Sequence, residues 1–313
     1  MEIREHNSSA VPVTAARPSD ASWVAYALVT AAVLCWSGNW IVGRAVRTEM
    51  PPIGLNFWRW AIACLVLAPV VLPGFMRQAR ALRHHWRITL VLSLTGIVVF
   101  QALVYAGLQR TPAVNAVLMN SAIPLFIILC AWIVDRERPR PAQFVGIAVS
   151  FLGIAAIVSR GSIGELFALR LNAGDLLILA AMPVWGVYTV LFRRRPPGIA
   201  PMTLVFVFSA VGTLINLPLY LVEIALTGRT VPASPDALAA IGYVAIFASV
   251  VAFYAWNESI VRIGPSRTGV FVHLMPAFGT VLAMLFLAEV PRWYHGVGIA
   301  LIFAGVWLAA RGR

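Results

Sequence analysis

The feature that most constrains this chain is a series of ten apolar runs, each about 18 to 25 residues long, separated by segments rich in proline, glycine and arginine. A helix needs about 20 mostly apolar residues to cross a bilayer. No run shows the sustained apolar–polar alternation of a half-buried strand, and helices satisfy their backbone hydrogen bonds internally, as hydrocarbon requires. We therefore predict an all-α polytopic membrane protein with ten transmembrane helices. The predicted spans are 23–43, 53–72, 87–108, 112–134, 142–159, 173–192, 202–226, 237–256, 266–288 and 293–310.

The composition fits a bilayer better than an aqueous core. Of the 313 residues, 60% are hydrophobic and 12% are charged, whereas about a quarter of the residues in a typical globular domain are charged. The net charge is +12, and every basic residue apart from histidine is an arginine. These arginines flank the apolar runs, so we interpret them as topology determinants and not as a nucleic-acid surface. With the N-terminus in the cytoplasm, sixteen arginines lie on cytoplasmic segments and seven on outer ones, which predicts that both termini are cytoplasmic.

The second half of the chain repeats the first. Residues 105–160 align with 257–312 at an offset of 152, and Trp36 aligns with Trp185 at an offset of 149. The identical pairs at the offset of 152 include Pro124 with Pro276, Glu137 with Glu289, Pro139 with Pro291, Gly146 with Gly298 and Gly153 with Gly305. We predict a disordered tail over 1–22 and two five-helix repeats over 23–160 and 173–310. Because five is odd, the second repeat must be inverted, an arrangement typical of secondary transporters that bind substrate near the midplane.

The repeated segments carry a recognisable pattern. In the first half it runs through Tyr105–Leu108, Pro124, the Glu-Arg-Pro sequence at 137–139, and Gly146; in the second it runs through Tyr254–Trp256, Gly264–Pro265, Pro276 and Gly298. This pattern resembles the EamA-type drug/metabolite transporter superfamily over residues 23–313. The resemblance implies a ten-helix carrier of small metabolites in the bacterial inner (plasma) membrane, and many such carriers export amino acids. The aromatic candidates described below resemble the branch that exports aromatic amino acids. The two repeats differ at one position of the pattern, where Gln143 aligns with His295, so they do not share chemistry there.

Arg59 is the clearest charged residue inside a predicted span. It lies about seven residues, or about 10 Å, from the outer end of the second span. Charge in hydrocarbon is costly and often functional, so we interpret Arg59 as a carboxylate clamp or gate residue. Alternatively, its guanidinium snorkels to the membrane surface or caps carbonyls of a neighbouring helix. His273 lies at a similar depth in the ninth span, and is interpreted as a substrate ligand or titrating group, or else as a plain hydrogen-bonding partner of another helix.

Aromatic and amide side chains inside the predicted spans are further candidates. Trp36 and Trp40 are four residues apart, as are Gln101 and Tyr105, so each pair shares one face of a helix. Aromatic rings at this depth can stack against an aromatic or apolar substrate, although plain helix packing is the alternative. The complete set of predicted substrate-binding residues is Trp36, Asn39, Trp40, Arg59, Gln101, Tyr105, Asn120, Trp185, Tyr188, Trp256 and His273.

The placement of the acidic residues favours a neutral or zwitterionic substrate. The acids Asp135, Glu137, Asp175, Glu223, Glu258 and Glu289 all fall near predicted span ends. A proton-coupled exporter of cationic drugs would instead need a carboxylate at the midplane. Asp175 follows Asn172 by three residues and is interpreted as a helix cap.

The remaining motifs do not favour catalysis. The three cysteines have neither metal-ligand nor disulfide spacing, and no catalytic motif or phosphate-binding loop occurs, so we predict no cofactor and no metal. We predict a transporter that exports amino acids, aromatic and other neutral ones, by alternating access. A membrane-embedded enzyme, a lipid-handling protein, a channel, and a carrier of other amphipathic metabolites or drugs stay open as alternatives. The oligomeric state is also open, with a monomer as the simplest expectation.

Overall fold

The computed structural model describes residues 18–46, 49–111, 113–167, 171–286, 290 and 292–311. Most of the predicted tail lies outside these ranges, as do Glu289 and Pro291 of the repeated motif. Every regular element within them is helical. The helices are α1 Pro18–Ala45, α2 Pro52–His84, α3 Trp86–Leu108, α4 Ala113–Asn120, α5 Ile123–Asp135, α6 Pro141–Val158, α7 Ile163–Phe167, α8 Ala173–Leu191, α9 Pro201–Thr227, α10 Pro235–Ile263, α11 Pro265–Val270, α12 Leu274–Phe286 and α13 Trp293–Arg311.

The helix starts follow local sequence rules. Six helices (α1, α2, α6, α9, α10 and α11) begin with proline, whose fixed φ suits the first turn and whose missing N–H costs nothing there. At the start of α8, the side chain of Asn172 accepts hydrogen bonds from the backbone N–H groups of Gly174 and Asp175. The carboxylate of Asp175 accepts in return from the backbone N–H of Asn172 at 2.7 Å. The interpretation of Asp175 as a helix cap is thus confirmed.

Nine helical segments of the described chain are long and apolar enough to cross a membrane. They are α1, α2, α3, α6, α8, α9, α10, the α11–α12 pair and α13. The predicted span at 112–134 is instead divided into α4 and α5 by a turn at residues 121–122, and α5 has only 13 residues. Nine predicted spans are therefore confirmed as membrane-length helices, and the tenth stays a prediction.

Helix α2 corrects one predicted boundary. The sequence places a break at Pro73-Gly74, but α2 continues to His84 with Pro69 and Pro73 inside it. Proline removes a single backbone hydrogen bond, and membrane helices tolerate this loss because neighbouring groups satisfy the freed carbonyl. Leu82, near the end of α2, is buried, so the extension packs against the bundle.

Helices α3 and α10 each contain a π-helical segment. The segments are Leu94–Val99 in α3 and Val244–Val251 in α10. Their starts are 150 residues apart, between the two repeat offsets found in the sequence. A π-helical turn is rare and frequently occurs at functional sites.

Helices α6 and α13 cross at two pairs of glycines. A Cβ on Gly146 would lie 2.5 Å from the carbonyl oxygen of Gly305, and one on Gly153 would lie 2.6 Å from that of Gly298. Between these pairs, the hydroxyl of Ser150 donates to a backbone carbonyl of α13 at 3.4 Å. Higher residue numbers on α6 meet lower ones on α13, so the two helices are antiparallel. Small residues allow this close approach, as is common between membrane helices.

The outer surface of the bundle is apolar. Leu65, Val70, Leu214 and Leu285 are 69–71% exposed, and many other large apolar side chains are exposed around them. Such a surface would cause aggregation in water, whereas lipid chains cover it in a bilayer. The buried core contains instead a dense set of aromatic and polar side chains, which holds the candidate site.

Candidate functional site

Arg59 lies inside the bundle, seven residues after the start of α2, and only 1% of its surface is exposed. Its Nε donates to the hydroxyl of Ser249 at 2.9 Å, and its Nη2 donates to the carbonyl of Ala248 at 3.2 Å. Its Nη1 donates to the hydroxyl of Tyr105 at 2.9 Å and, more weakly, to Oε1 of Gln101 at 3.5 Å. The guanidinium therefore does not snorkel to the surface. It joins α2 to α3 and α10.

All of these hydrogen-bond partners are neutral. The ion pairs found among the described residues are elsewhere, between Arg193 or Arg194 and the acids of the α5 end, and between Arg262 and Glu258. The ring of Trp60, whose centroid is 5.1 Å from the Arg59 guanidinium carbon, gives a cation–π contact. Because a buried charge is costly without a counter-charge, this site favours binding of an anion such as a carboxylate.

The π-helical segment of α10 supplies the acceptors for Arg59. The hydroxyl of Ser249 donates to the carbonyl of Val244, five residues earlier, at 2.9 Å and accepts from Arg59. The carbonyl of Ala248 accepts from Arg59 and also from Nε1 of Trp36, at 2.9 Å. Trp36 on α1 is thereby tied to the Arg59 network through one shared backbone oxygen.

An aromatic cluster adjoins this network. The ring centroid of Trp36 lies 5.4 Å from that of Trp185, 5.2 Å from that of Trp256 and 5.9 Å from that of Phe253. Trp185 also contacts Tyr188 at 5.0 Å. The cluster joins α1, α8 and α10, and the rings pack directly on one another in edge-on and tilted arrangements, which aromatic quadrupoles favour.

Two buried donors in this region have no hydrogen-bond partner. They are Nε1 of Trp256 and Nδ2 of Asn257, whose Oδ1 accepts from the hydroxyl of Tyr188 at 2.8 Å. Buried polar groups are normally paired, so unpaired donors indicate a ligand or water position. Both atoms are donors, which again suits a ligand with acceptor oxygens.

The break between α4 and α5 contacts the break between α11 and α12. His273 is fully buried in the 3₁₀ turn Phe271–His273, between α11 and α12. Its Nε2 donates to the carbonyl of Ser121, in the turn between α4 and α5, at 2.9 Å. The backbone carbonyl of Met275 accepts from Ser37 of α1 at 3.3 Å, and its sulfur accepts from Asn120 at 3.6 Å. The alternative role of His273, a hydrogen bond to another helix, is thus present, and its Nδ1 has no partner.

The predicted site residues therefore fall into four sets. One hydrogen-bonded group consists of Arg59, Gln101 and Tyr105. The aromatic cluster contains Trp36, Trp185, Tyr188 and Trp256. The helix breaks contain Asn120 and His273, and the fourth set, Asn39 and Trp40, belongs to none of these groups. Asn39 is half-buried and takes part in none of the hydrogen bonds among the described residues, while Trp40 packs against the hydrophobic core.

Sequence reasoning missed Ser249, Phe253 and Asn257. Ser249 is the one hydroxyl in the apolar segment 244–251, which was an available signal. Phe253 and Asn257 are the positions 152 residues after Gln101 and Tyr105, so the repeat also pointed to them. The role of the Ala248 carbonyl could not be recognised in the sequence, because every residue has a backbone carbonyl.

A charged cavity of about 480 Å³ lies at another level of the bundle. It is lined by Asp135, Glu137, Arg140, Gln143, Arg193, Ile260, Val261, Arg262, Ile263, Gly264 and Arg267. Arg262 is 13 residues beyond Ser249 on α10, or about 20 Å along the helix. The cavity is therefore separate from the Arg59 network and lies toward the arginine-rich end of the bundle.

The fold and site define a helical membrane protein with a donor-rich charged centre, and the comparisons with known proteins give its family. The model of the EamA-like transporter family matches residues 23–159 and 172–311. The chain belongs to this family, and it is a multi-pass membrane transporter of the EamA type.

Curated relatives and a solved structure agree with this assignment. An uncharacterized transporter of Archaeoglobus fulgidus is 28% identical over 285 residues, which cover 90% of this chain and 95% of that protein. A "Probable terminal-alkyne amino-acid exporter" of Streptantibioticus cattleyicolor is 28% identical over 279 residues, covering 89% of this chain and 91% of that protein. A crystal structure of another protein superposes with a TM-score of 0.73 at 22% identity, covering 93% of this chain and 96% of that chain, which shows a shared fold.

Proposed function

We propose that this transporter exports neutral amino acids, aromatic ones among them, and that their carboxylate binds Arg59. The observation that carries the proposal is a fully buried guanidinium whose hydrogen-bond partners among the described residues are all neutral. A zwitterion brings the missing negative charge with little net charge of its own. The similarity to a protein named as an amino-acid exporter adds support for this substrate class.

The donors of the site suit a carboxylate. A guanidinium has five N–H donors, and the bonds of Arg59 within the described chain use four, which leaves one on Nη2. With the unpaired donors of Trp256 and Asn257, this region offers acceptor oxygens more partners than it uses itself. Charge-assisted bonds of this kind are about twice as strong as neutral ones.

The aromatic cluster is proposed to contact the apolar side chain of the substrate. In the described conformation its rings fill the space between α1, α8 and α10 by packing on one another. An incoming side chain must therefore separate at least two of these rings. We propose that this separation accompanies the change between states open to opposite sides of the membrane.

The proposed mechanism is alternating access by two inverted halves. Reciprocal contacts support it, because Gly146 meets Gly305 while Gly153, seven residues on, meets Gly298. A two-fold relation generates this pattern, in which residue i contacts j′ and j contacts i′. The π-helical segments of α3 and α10, and the helix breaks at Ser121 and His273, also recur near the repeat offset. Broken helices are a common feature of transporter binding sites.

Flux into reconstituted liposomes tests the substrate class. The labelled compounds are phenylalanine, tryptophan, threonine and methionine, each measured with and without a pH gradient, together with phenethylamine, which lacks the carboxylate of phenylalanine. We expect saturable uptake of the amino acids, inhibition by an excess of any one of them, and no competition from phenethylamine.

The outcomes separate the alternatives. Equal competition by phenethylamine would show that the carboxylate is not recognised and would favour a carrier of amphipathic amines or drugs. Flux that rises linearly with concentration would indicate a channel. Absence of flux for all four amino acids would overturn the proposed substrate class.

A further inference from the structure

A groove of about 540 Å³ lies on the surface of the bundle beside α5 and α6, away from the Arg59 site. Its lining residues are Leu125, Ile128, Leu129 and Trp132 of α5, Phe144 of α6, and Arg138 and Pro139 of the connecting segment. The α5 residues follow the spacing i, i+3, i+4, i+7, so they form one apolar stripe. Leu125, Leu129, Trp132 and Phe144 are 42–50% exposed, which leaves the groove open to its surroundings.

The depth of the groove matches one leaflet of a membrane. Leu125 and Trp132 are seven residues apart, or about 10 Å along a helix, whereas one leaflet of the hydrocarbon core is about 15 Å thick. The groove ends where α5 ends at Asp135 and α6 begins at Pro141, and the cost of charge in hydrocarbon puts such an arginine-rich connection at the membrane surface. The half-exposed Trp132 lies near this end, where tryptophan side chains are enriched in membrane proteins.

The surface end of the groove is positively charged. The connecting segment, residues 136–140, has three arginines and one glutamate. Glu137 lines the charged cavity and not the groove, and its carboxylate lies 3.5 Å from Arg193. Arg138 lines the groove, is exposed, and makes no ion pair or hydrogen bond with any side chain in the described part of the chain. An apolar groove with a basic end between membrane helices is typical of sites for anionic lipid headgroups.

We propose that this groove binds an anionic phospholipid, with an acyl chain along the α5 stripe and the headgroup phosphate at Arg138. The proposal does not depend on which substrate is transported. It assigns one site to one class of lipid, since zwitterionic lipids would fill the apolar groove without gaining from the net charge at its end.

Native mass spectrometry of the full chain, purified in detergent, tests the proposal. The probes are phosphatidylglycerol, phosphatidylcholine with the same acyl chains, and glycerol 3-phosphate as a water-soluble phosphate. We expect phosphatidylglycerol to bind at least fivefold more tightly than phosphatidylcholine. The variant Arg138→Gln should lose about fivefold in phosphatidylglycerol affinity and leave phosphatidylcholine unchanged. Arg83→Gln, which removes an exposed arginine at the end of α2, is the matched control and should change neither.

A second variant separates the two ends of the site. Leu129→Trp adds bulk to an exposed position of the stripe, so it should weaken both lipids while leaving the fold intact, as monitored by the melting temperature. Equal affinity of the two lipids, or an unchanged affinity in Arg138→Gln, would overturn the proposal. Binding of glycerol 3-phosphate that depends on Arg138 but not on Leu129 would also overturn it, since the site would then take a free anion.

Discussion

Two arginines of this protein, Arg59 and Arg193, meet opposite environments. The Arg59 side chain is buried and its partners are three neutral side chains and one carbonyl. Arg193 has a side chain that is 48% exposed and lies 3.5 Å from each of the carboxylates of Asp135 and Glu137. The exposed guanidinium of Arg193 is paired with carboxylates although water already solvates it, whereas the buried guanidinium of Arg59 has no carboxylate partner among the described residues.

The difference shows which charge is available for function. Water screens the Arg193 pairs, and exposed ion pairs contribute about 0–1 kcal/mol to the free energy of unfolding. Around Arg59 the dielectric is low, so the approach of a carboxylate is worth more there than at the surface. The following variants test whether this contrast in environment becomes a contrast in transport.

Replacement of the buried guanidinium should have the largest effect. In Arg59→Gln we expect the affinity for phenylalanine to fall by at least about thirtyfold, equivalent to about 2 kcal/mol, because the carboxylate loses its counter-charge. The melting temperature should change little, because the variant removes a charge that is costly to bury and also the four hydrogen bonds that it makes. Binding to the purified protein and thermal unfolding measure the two quantities. Arg110→Gln, which replaces an exposed arginine beyond α3, is the control. Normal affinity in Arg59→Gln would end the clamp hypothesis.

Loss of one hydrogen-bond partner of the Arg59 guanidinium should have the next largest effect. Tyr105→Phe keeps the ring but removes the 2.9 Å hydrogen bond to Arg59. Bonds to charged groups contribute about 1.5–3 kcal/mol, so we expect about tenfold weaker binding of the amino acid, measured by saturation of flux. Tyr254→Phe is the matched control, because Tyr254 is half-buried and makes no hydrogen bond through its side chain in the described part of the chain. Equal effects of the two variants would show that Tyr105 does not orient Arg59.

The bond between the aromatic cluster and the π-helical segment should matter less. Trp36→Phe keeps an aromatic ring but loses the 2.9 Å bond to the Ala248 carbonyl that Arg59 shares. A neutral hydrogen bond contributes about 1 kcal/mol, so we expect a three- to fivefold loss in affinity. Trp293→Phe, at a 68% exposed position, should have no effect on transport. A Trp36→Phe loss as large as that of Arg59→Gln would contradict the ranking.

The exposed arginine should have the smallest effect. In Arg193→Gln we expect less than a twofold change in amino-acid affinity and a melting temperature within about two degrees of the wild type, because the lost ion pairs are screened by water. The same flux and unfolding assays apply, repeated at high salt, where the difference should shrink further. A tenfold loss of amino-acid affinity in Arg193→Gln would contradict the prediction that burial decides which arginine matters for transport.

Much of the fold and part of the site could be predicted from the sequence. The existence of nine spans followed from local apolar length, and Arg59, Gln101 and Tyr105 were recognisable as polar groups inside the predicted spans. The division of the fourth span was not predicted, because the segment 112–134 is apolar on both sides of its turn. The continuation of α2 past Pro73 was also missed, since proline ends helices in water more often than in membranes.

The sequence by itself determined that this protein is a membrane-embedded helical bundle, because the transfer free energy of an apolar run depends on the run alone. It also placed one cation, Arg59, inside a predicted span, with snorkelling to the membrane surface left open. The tertiary structure decided which groups surround that cation. Ser249 and the Ala248 carbonyl contact Arg59 from the π-helical segment of α10, and the rings of Trp36 and Trp185 meet between α1 and α8. Such contacts depend on the rotation and depth of neighbouring helices, which no local property of the sequence specifies.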